Sequence, residues 1–290
     1  MDYTILSDMS IDIDLAGSGI EGIEFIPMPY DLGERHIQCD KPQNDEECHS
    51  FYEALRSKAK TSTSQVTPFE YFGIFREYVK AGTPLLVLCL SSGLSTTYQS
   101  ALSAVQDLKE QYDNVQIEVV DSLGATGGVG ILAECAAENR KNGMTLTENA
   151  AWLREHAGRI SYWFKVQDLF YLLRGGRVSA AAAVFGSALQ IKPILCINEN
   201  GGLDTIAKAR GNKQAAAELL RRFEATYDPS APKLVYICHA DVPDQAAELK
   251  AHILEKHPDL TVRVTGLCPV IGAHTGPDML SLIHFATRRS

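Results

Sequence analysis

Residues 85–90 read Leu-Leu-Val-Leu-Cys-Leu, and this unbroken apolar run constrains the fold more than any other stretch of the chain. Six apolar side chains in succession leave no face for water, so the segment fits a strand buried on both sides, as in the centre of a parallel sheet. A polar turn at 91–96 follows it, and Tyr98, Ala101, Val105, Leu108 and Tyr112 then recur at helical spacing. Residues 115–120 alternate as a further strand, and the glycines at 124–130 open another helix that runs to about Asn142. Upstream, Thr67-Pro68-Phe69-Glu70 is a capping box with proline at the first helical position, and Gly82 and Pro84 close that helix. A second box, Thr145 to Glu148, starts a helix that stops at Gly158. Thr4–Leu6 and Gly22–Pro27 read as short strands, and residues 31–50 as polar and irregular. Strands alternating with helices specify a parallel sheet covered by helices. Such sheets take ligands at the carboxyl ends of their strands, here the turns after Leu90 and Val120.

The second half has a different rhythm. Ile160–Val166 is a strand and Leu169–Leu173 a short helix. Two strands, 193–197 and 203–207, flank Asn-Glu-Asn-Gly-Gly as a hairpin. Strands at 233–238 and 261–264 enclose an amphipathic helix. The expectation is an α/β chain of two domains: an N-terminal α/β domain over residues 1–159 and a C-terminal α+β domain over 160–290.

Charge narrows the function. A formal net charge of -9 and no Lys/Arg run disfavour nucleic acid, which requires a basic surface, and also stable insertion into an anionic membrane. The seven cysteines are widely spaced with no CxxC, and four (Cys89, Cys135, Cys196, Cys238) lie in apolar segments, as in a reducing compartment. The N-terminus lacks the basic and apolar regions of a signal peptide, and the cytoplasm is the expected location.

Four segments carry possible chemistry. In Ser91-Ser92-Gly93-Leu94-Ser95-Thr96-Thr97 a buried strand turns into a helix whose N-terminus can attract an anion, with Ser95 placed to cap it. Thr61-Ser62-Thr63-Ser64-Gln65 is a run of hydroxyls and an amide that fits either an anion pocket or a solvated loop. Ala273-His274-Thr275-Gly276-Pro277 begins a tight turn with a histidine. Leu173-Arg174-Gly175-Gly176-Arg177 sets two guanidinium groups beside an approachable backbone, suited to a carboxylate or phosphate, or simply to a helix C-cap. The glycines at 124–130 lack dinucleotide-loop spacing, there is no Walker A or G-x-S-x-G motif, and neither His36/Cys39 nor Cys48/His49 has a structural zinc spacing.

Taken in order along the chain, these segments resemble the DegV family, a group of bacterial fatty-acid-binding proteins that includes B-type subunits of fatty acid kinase. The resemblance is carried by Thr63-Ser64-Gln65, Ser91 to Ala101, Asp121-Ser122, Leu173 to Val178, Leu189 to Leu195, Lys208 with Arg210, and His274 to Pro277. It implies an N-terminal parallel-sheet three-layer domain, a C-terminal α+β domain and a lipid tunnel between or near them. It also implies one long acyl chain, such as palmitate, stearate or oleate, as ligand with no cofactor. The carboxylate would be held by Thr63, Ser95 and His274, with Ser91 and Ser92 as contributing neighbours. A further implication is an acyl kinase partner that phosphorylates the bound acid for phospholipid synthesis, with Arg177 and Arg210 as contacts to phosphate or partner and the chain itself no catalyst. Segments such as Ala180–Leu189 are candidates for the acyl lining. The chain departs from the pattern at Asp8-Met9-Ser10, Val66-Thr67, Thr96 and Asp278. The last places an acid beside a carboxylate site, which is unfavourable unless it points away. A different reading of the same residues is a stand-alone acyl hydrolase or transferase using Ser95 or Ser91 with His274.

Overall fold

The computed structural model describes residues 3–179 and 190–289, so the expectation for Ala180–Leu189 falls outside the described residues. Three sheets organise them. The first is fully parallel, in the order β2-β1-β6-β7: β1 is Thr4–Asp8, β2 Ile23–Ile26, β6 Leu85–Cys89 and β7 Ile117–Asp121. The apolar run thus forms a central strand, and all five of its residues are buried. The second sheet is a small antiparallel one in which β3 (Met28–Leu32) lies between β4 (Arg35–Cys39) and β5 (Thr61–Thr63). The third, of six strands, contains β8 (Ile160–Lys165), β9 (Ile191–Ile197), β10 (Leu203–Arg210), β11 (Leu234–His239), β12 (Thr261–Gly266) and β13 (Leu280–Phe285). Its order is β10-β9-β8-β13-β11-β12, antiparallel except for β11 with β12.

Residues 31–50, expected to be irregular, contain the end of β3, the whole of β4 and the first half of a helix, α2 (Asp45–Arg56). Strand β4 carries one buried residue, Cys39, so it has too little apolar alternation to be read as a strand. The start of α2 is marked by an overlooked capping box, Asn44 with Glu47. Likewise Thr61–Thr63 is an edge strand rather than a loop, paired with Leu32, Asp31 and Tyr30.

Besides α1 (Leu15–Ser18) and α6 (Leu146–Ala157), the helices that matter most here are α3 (Pro68–Ala81), α4 (Thr97–Gln111), α5 (Gly127–Lys141), α7 (Phe170–Arg174), α8 (Gly211–Thr226), α9 (Pro243–Lys256) and α10 (Pro269–Thr275). Both capping boxes read from the sequence, at Thr67 and Thr145, form. Helix α5 packs against β1 and β6 of the parallel sheet and against β11 and β13 of the six-stranded sheet. It is therefore apolar nearly all round, and its residues 127–133 are all buried. One continuous core joins the parallel sheet, the small sheet and the inner face of the six-stranded sheet, including Tyr162, Phe164, Ile197 and Ile283. The outer face, with Trp163, Ile194, Leu280 and Leu282, packs under α8 and α9 in a second core. This alternation along β8, β9 and β13 lets the sheet present two apolar faces. Among the described residues no helix is long and apolar enough to cross a membrane.

Candidate functional site

Where the inner face of the six-stranded sheet meets the end of the parallel sheet there is a cavity of about 500 Å³. That is within the usual range for small-molecule sites, roughly 300–1,000 Å³. Its apolar wall includes Met28, Leu90, Phe164, Ile197, Leu203, Val270, Met279 and Ile283, and its polar rim includes Thr63, Gln65, Ser92, Ser95, Arg177 and His274. These residues come from six regions of the chain, and the fold has to hold each in place.

Asp8 anchors the end of the parallel sheet. Its carboxylate accepts from the backbone N–H of Leu90 at 2.7 Å and from the N–H and hydroxyl of Ser10 at 3.1 and 2.5 Å. Burial raises its pKa, which these three donors oppose. The turn after β6 is pinned by Ser91. Its hydroxyl donates to the carbonyl of Gly201 at 2.9 Å and accepts from the N–H of Gly93 at 3.1 Å. Ser91 is fully buried and does not line the cavity, so among the expected carboxylate neighbours it is a structural pin, while Ser92 and Ser95 reach the cavity. The Ser95 hydroxyl lies 2.9 Å from the Thr97 hydroxyl and accepts from the Thr97 N–H at 3.2 Å, at the first turn of α4.

Thr63, on β5, and His274, on the last turn of α10, meet directly: Thr63 Oγ1 is 2.8 Å from His274 Nε2. Burial, reinforced by Arg177 and Arg174, pushes His274 down to about 4, so the ring is neutral at physiological pH. Its other nitrogen, Nδ1, is buried and has no hydrogen-bond partner among the described residues. The ring lies against Gly175, where a Cβ would come within 2.2 Å of Nδ1. The first glycine of Arg-Gly-Gly-Arg is thus required by the histidine. A neutral imidazole has one N–H and one lone pair. If the Thr63 hydroxyl donates to Nε2, Nδ1 carries the free donor. If Nε2 donates to Thr63, the threonine hydroxyl is free to donate. In the second case Thr63, which borders the cavity, keeps a donor for a ligand; in the first the free N–H is enclosed against Gly175.

Arg177 also belongs to the cavity wall. Its Nε donates to the Leu94 carbonyl at 3.1 Å and its Nη1 to the Gly175 carbonyl at 2.6 Å. The guanidinium therefore ties the turn after β6 to the glycine that supports His274, and burial lowers its pKa without removing its charge. Arg210 does not line the cavity. It lies exposed at the junction of β10 and α8, its backbone N–H donating to Gln214 at 3.1 Å. The Asp278 carboxylate is turned toward Arg56, Oδ1 to Nη2 2.8 Å, and its backbone carbonyl accepts from Lys165 at 2.6 Å. It thus points away from the rim. His36 and His49 are engaged by carboxylates, Asp31 at 2.8 Å and Asp241 at 2.9 Å.

Three cavity residues carried no signal in the sequence. Tyr162 sits in a strand that reads as ordinary core, Ser281 lies in β13, outside every strand expected from the sequence, and Thr126 has φ +57°, a left-handed conformation unusual for a β-branched residue. Backbone strain of this kind is invisible in a sequence, and only a non-glycine residue in a glycine-rich turn hints at it.

The DegV family model matches residues 3–287, under the description of an uncharacterised protein of that family. A DegV domain-containing protein of Clostridium perfringens is 38% identical over 233 residues, 80% of either chain. Among solved structures, a DegV family protein from Thermus thermophilus, described by its fatty acid binding, is 28% identical with a TM-score of 0.84, covering 99% of this chain and 100% of that one. The Streptococcus pneumoniae fatty acid kinase B3 protein, loaded with linoleic acid, shares the fold at 18% identity, with a TM-score of 0.84 over 98% of this chain and 99% of that one. The two-domain α/β fold expected from the sequence is therefore the fold of these proteins. The chain belongs to the DegV family.

Proposed function

We propose that this protein binds one long-chain fatty acid, with the carboxylate at Thr63, Ser95 and His274 and the acyl chain in the apolar cavity, and that Ser92 and Arg177 complete the head-group site. The observation that carries the reading is the Thr63–His274 pair in the wall of an apolar cavity, 2.8 Å apart and with Nδ1 unpartnered. A carboxylate cannot be buried without partners. The Thr63 and Ser95 hydroxyls and the fixed guanidinium of Arg177 supply charge-assisted bonds to it. About fourteen methylenes at roughly 0.8 kcal/mol each contribute on the order of 11 kcal/mol of burial before the costs of association. The Thermus relative, described by its fatty acid binding, supports the same ligand class.

The hydrolase or transferase reading has less support. The Ser91 hydroxyl is committed to Gly201, that of Ser95 is bonded to the Thr97 hydroxyl and N–H rather than to His274, and His274 Nε2 is bonded to Thr63. His274 Nδ1 has no carboxylate to orient it, so the nucleophile–base–acid chain of such enzymes is not assembled. The protein is instead read as a carrier in the cytoplasm that presents its acid to an ATP-dependent acyl kinase, as the family resemblance of its motifs implies. Arg210, exposed outside the cavity, is the contact assigned to that partner.

Extraction of the purified protein followed by mass spectrometry is expected to release one fatty acid per chain. A protein that carries none and takes up neither palmitate nor oleate contradicts the reading. With ATP, an acyl kinase and hydroxylamine as trap, the loaded protein is expected to yield acyl hydroxamate. Hydroxamate formed without the kinase makes the chain an enzyme in its own right.

A further inference from the structure

Away from the cavity, three metal-ligating side chains meet at the surface. His49 and Glu53 lie four residues apart on α2, which puts them on the same face of the helix, one turn apart. Asp241, in the loop between β11 and α9, joins them there. Each offers one ligand atom, an imidazole nitrogen or a carboxylate oxygen, and these atoms all lie within 4.8 Å of one another. Among the described residues no other histidine, cysteine, aspartate and glutamate side chains form such a group. Water and solutes reach it freely, since the His49 and Glu53 side chains are 59% and 54% exposed.

The three groups are already oriented. His49 Nδ1 is 2.9 Å from Asp241 Oδ1. Arg56, one turn beyond Glu53 on the same helix, donates to Asp241 Oδ2 and, at 2.8 Å, to Glu53 Oε1. Its other terminal nitrogen donates to Asp278 Oδ1 at 2.8 Å. The guanidinium therefore holds one oxygen of each carboxylate and leaves Asp241 Oδ1 and Glu53 Oε2 to face a second cation. Carboxylates that ligate metals are commonly fixed in this way by hydrogen bonds to their outer oxygens. The charges point in the same direction. Glu53, Asp241 and Asp278 are three acids around the single guanidinium of Arg56. The two negative charges left over repel each other, and a divalent ion bound through a neutral imidazole balances them.

We propose that His49, Glu53 and Asp241 bind a divalent transition-metal ion of the zinc class, with water completing its coordination. One nitrogen and two oxygen donors suit zinc and its neighbours, whereas calcium and magnesium take oxygen alone. Bonds of about 2.0–2.2 Å to nitrogen and oxygen separate two tetrahedral ligands by roughly 3.3 Å. The ion thus takes the place of the proton between His49 and Asp241 with a small outward shift, and the exposed Glu53 side chain turns to close the site. Bound there, it clips α2 to the loop that follows β11. The site is separate from the carboxylate site described above and stands or falls without it.

The test is a calorimetric titration of the whole protein with Zn²⁺, set beside His49→Ala and Glu53→Gln, which alter exposed side chains of one helix face. The native protein is expected to bind one ion with a micromolar dissociation constant and to unfold at a higher temperature in its presence. His49→Ala is expected to weaken binding about a hundredfold and to abolish the rise in unfolding temperature, and Glu53→Gln to weaken binding about tenfold. Substituted for zinc, Co²⁺ is expected to give its visible bands without the charge-transfer absorption of a thiolate ligand, which separates this site from the seven free cysteines. No binding below about 1 mM Zn²⁺, an affinity unchanged in His49→Ala, or a thiolate band with Co²⁺ overturns the inference.

Discussion

The two faces of the six-stranded sheet each place a histidine in an apolar setting, and the histidines differ in what they leave unsatisfied. On the outer face, His284 is fully buried, with Nδ1 2.8 Å from the Phe285 carbonyl, Nε2 3.4 Å from the Thr226 hydroxyl, and its ring edge-on to Phe223. On the inner side, His274 uses one nitrogen on Thr63 and leaves the other without a partner among the described residues, in the wall of a cavity. Burial pushes both down to about 4. The shifted pKa therefore does not distinguish a ligand site from a core; the unspent hydrogen-bonding capacity beside empty volume does.

The contrast can be broken in several places. The largest effect is expected on the outer face: Phe223→Ala removes a fully buried ring between α8 and the sheet and should cost about 3–5 kcal/mol in denaturant unfolding, with fatty acid affinity within threefold of the native protein. On the inner side His274→Ala should do the reverse, lowering fatty acid affinity about a hundredfold by leaving the carboxylate short of a donor, with Thr63→Val costing about tenfold. A His274→Ala protein that binds palmitate normally would make the two histidines equivalent and remove the distinction.

The pH dependence of stability gives a finer test. His284 is held neutral in the fold, so the unfolded chain takes up the proton first as pH falls below about 6.5. Its contribution to stability is complete above that value, declines down to about 4 and is flat below. His284→Gln should therefore cost about 2 kcal/mol near neutral pH and progressively less toward about pH 4.5, measured as the difference from the native protein. Buried Asp12, pushed up to about 7, acts with the opposite sign, favouring the fold at low pH, but it is common to both proteins and cancels in the difference. The smallest effect is expected on the surface: Arg56→Ala, which frees Asp241 and Asp278, should change stability by less than about 1 kcal/mol because the ion pairs are partly exposed.

How much of this was legible in the sequence follows from which forces act locally. The central strand at 85–89 and the boxes at Thr67 and Thr145 are set by neighbouring residues, and they stand as read. Strand β5 is not of that kind. Thr61–Thr63 has no apolar alternation and becomes a strand only because β3 offers it an edge, so it looked like a loop. At the site, the order of motifs singled out Thr63, Ser95 and His274, but the division between Ser91 as pin and Ser92 as rim depends on where Gly201 lies, 110 residues away. Arg177 and Arg210 looked alike in the sequence, and the fold separates them, one in the cavity wall and one outside it. Tyr162 was hidden for the opposite reason, because a buried strand accepts a tyrosine as readily as a phenylalanine when its hydroxyl finds a partner, and the sequence does not show that this one does not.

The central claim is tested most directly by a crystal structure of the protein with palmitate. The account predicts the acyl chain inside the cavity and the carboxylate oxygens about 2.6–3.2 Å from the Thr63–His274 pair and Ser95, with Arg177 facing them. A chain bound with its methyl end at Thr63, or lying outside the cavity, would contradict it.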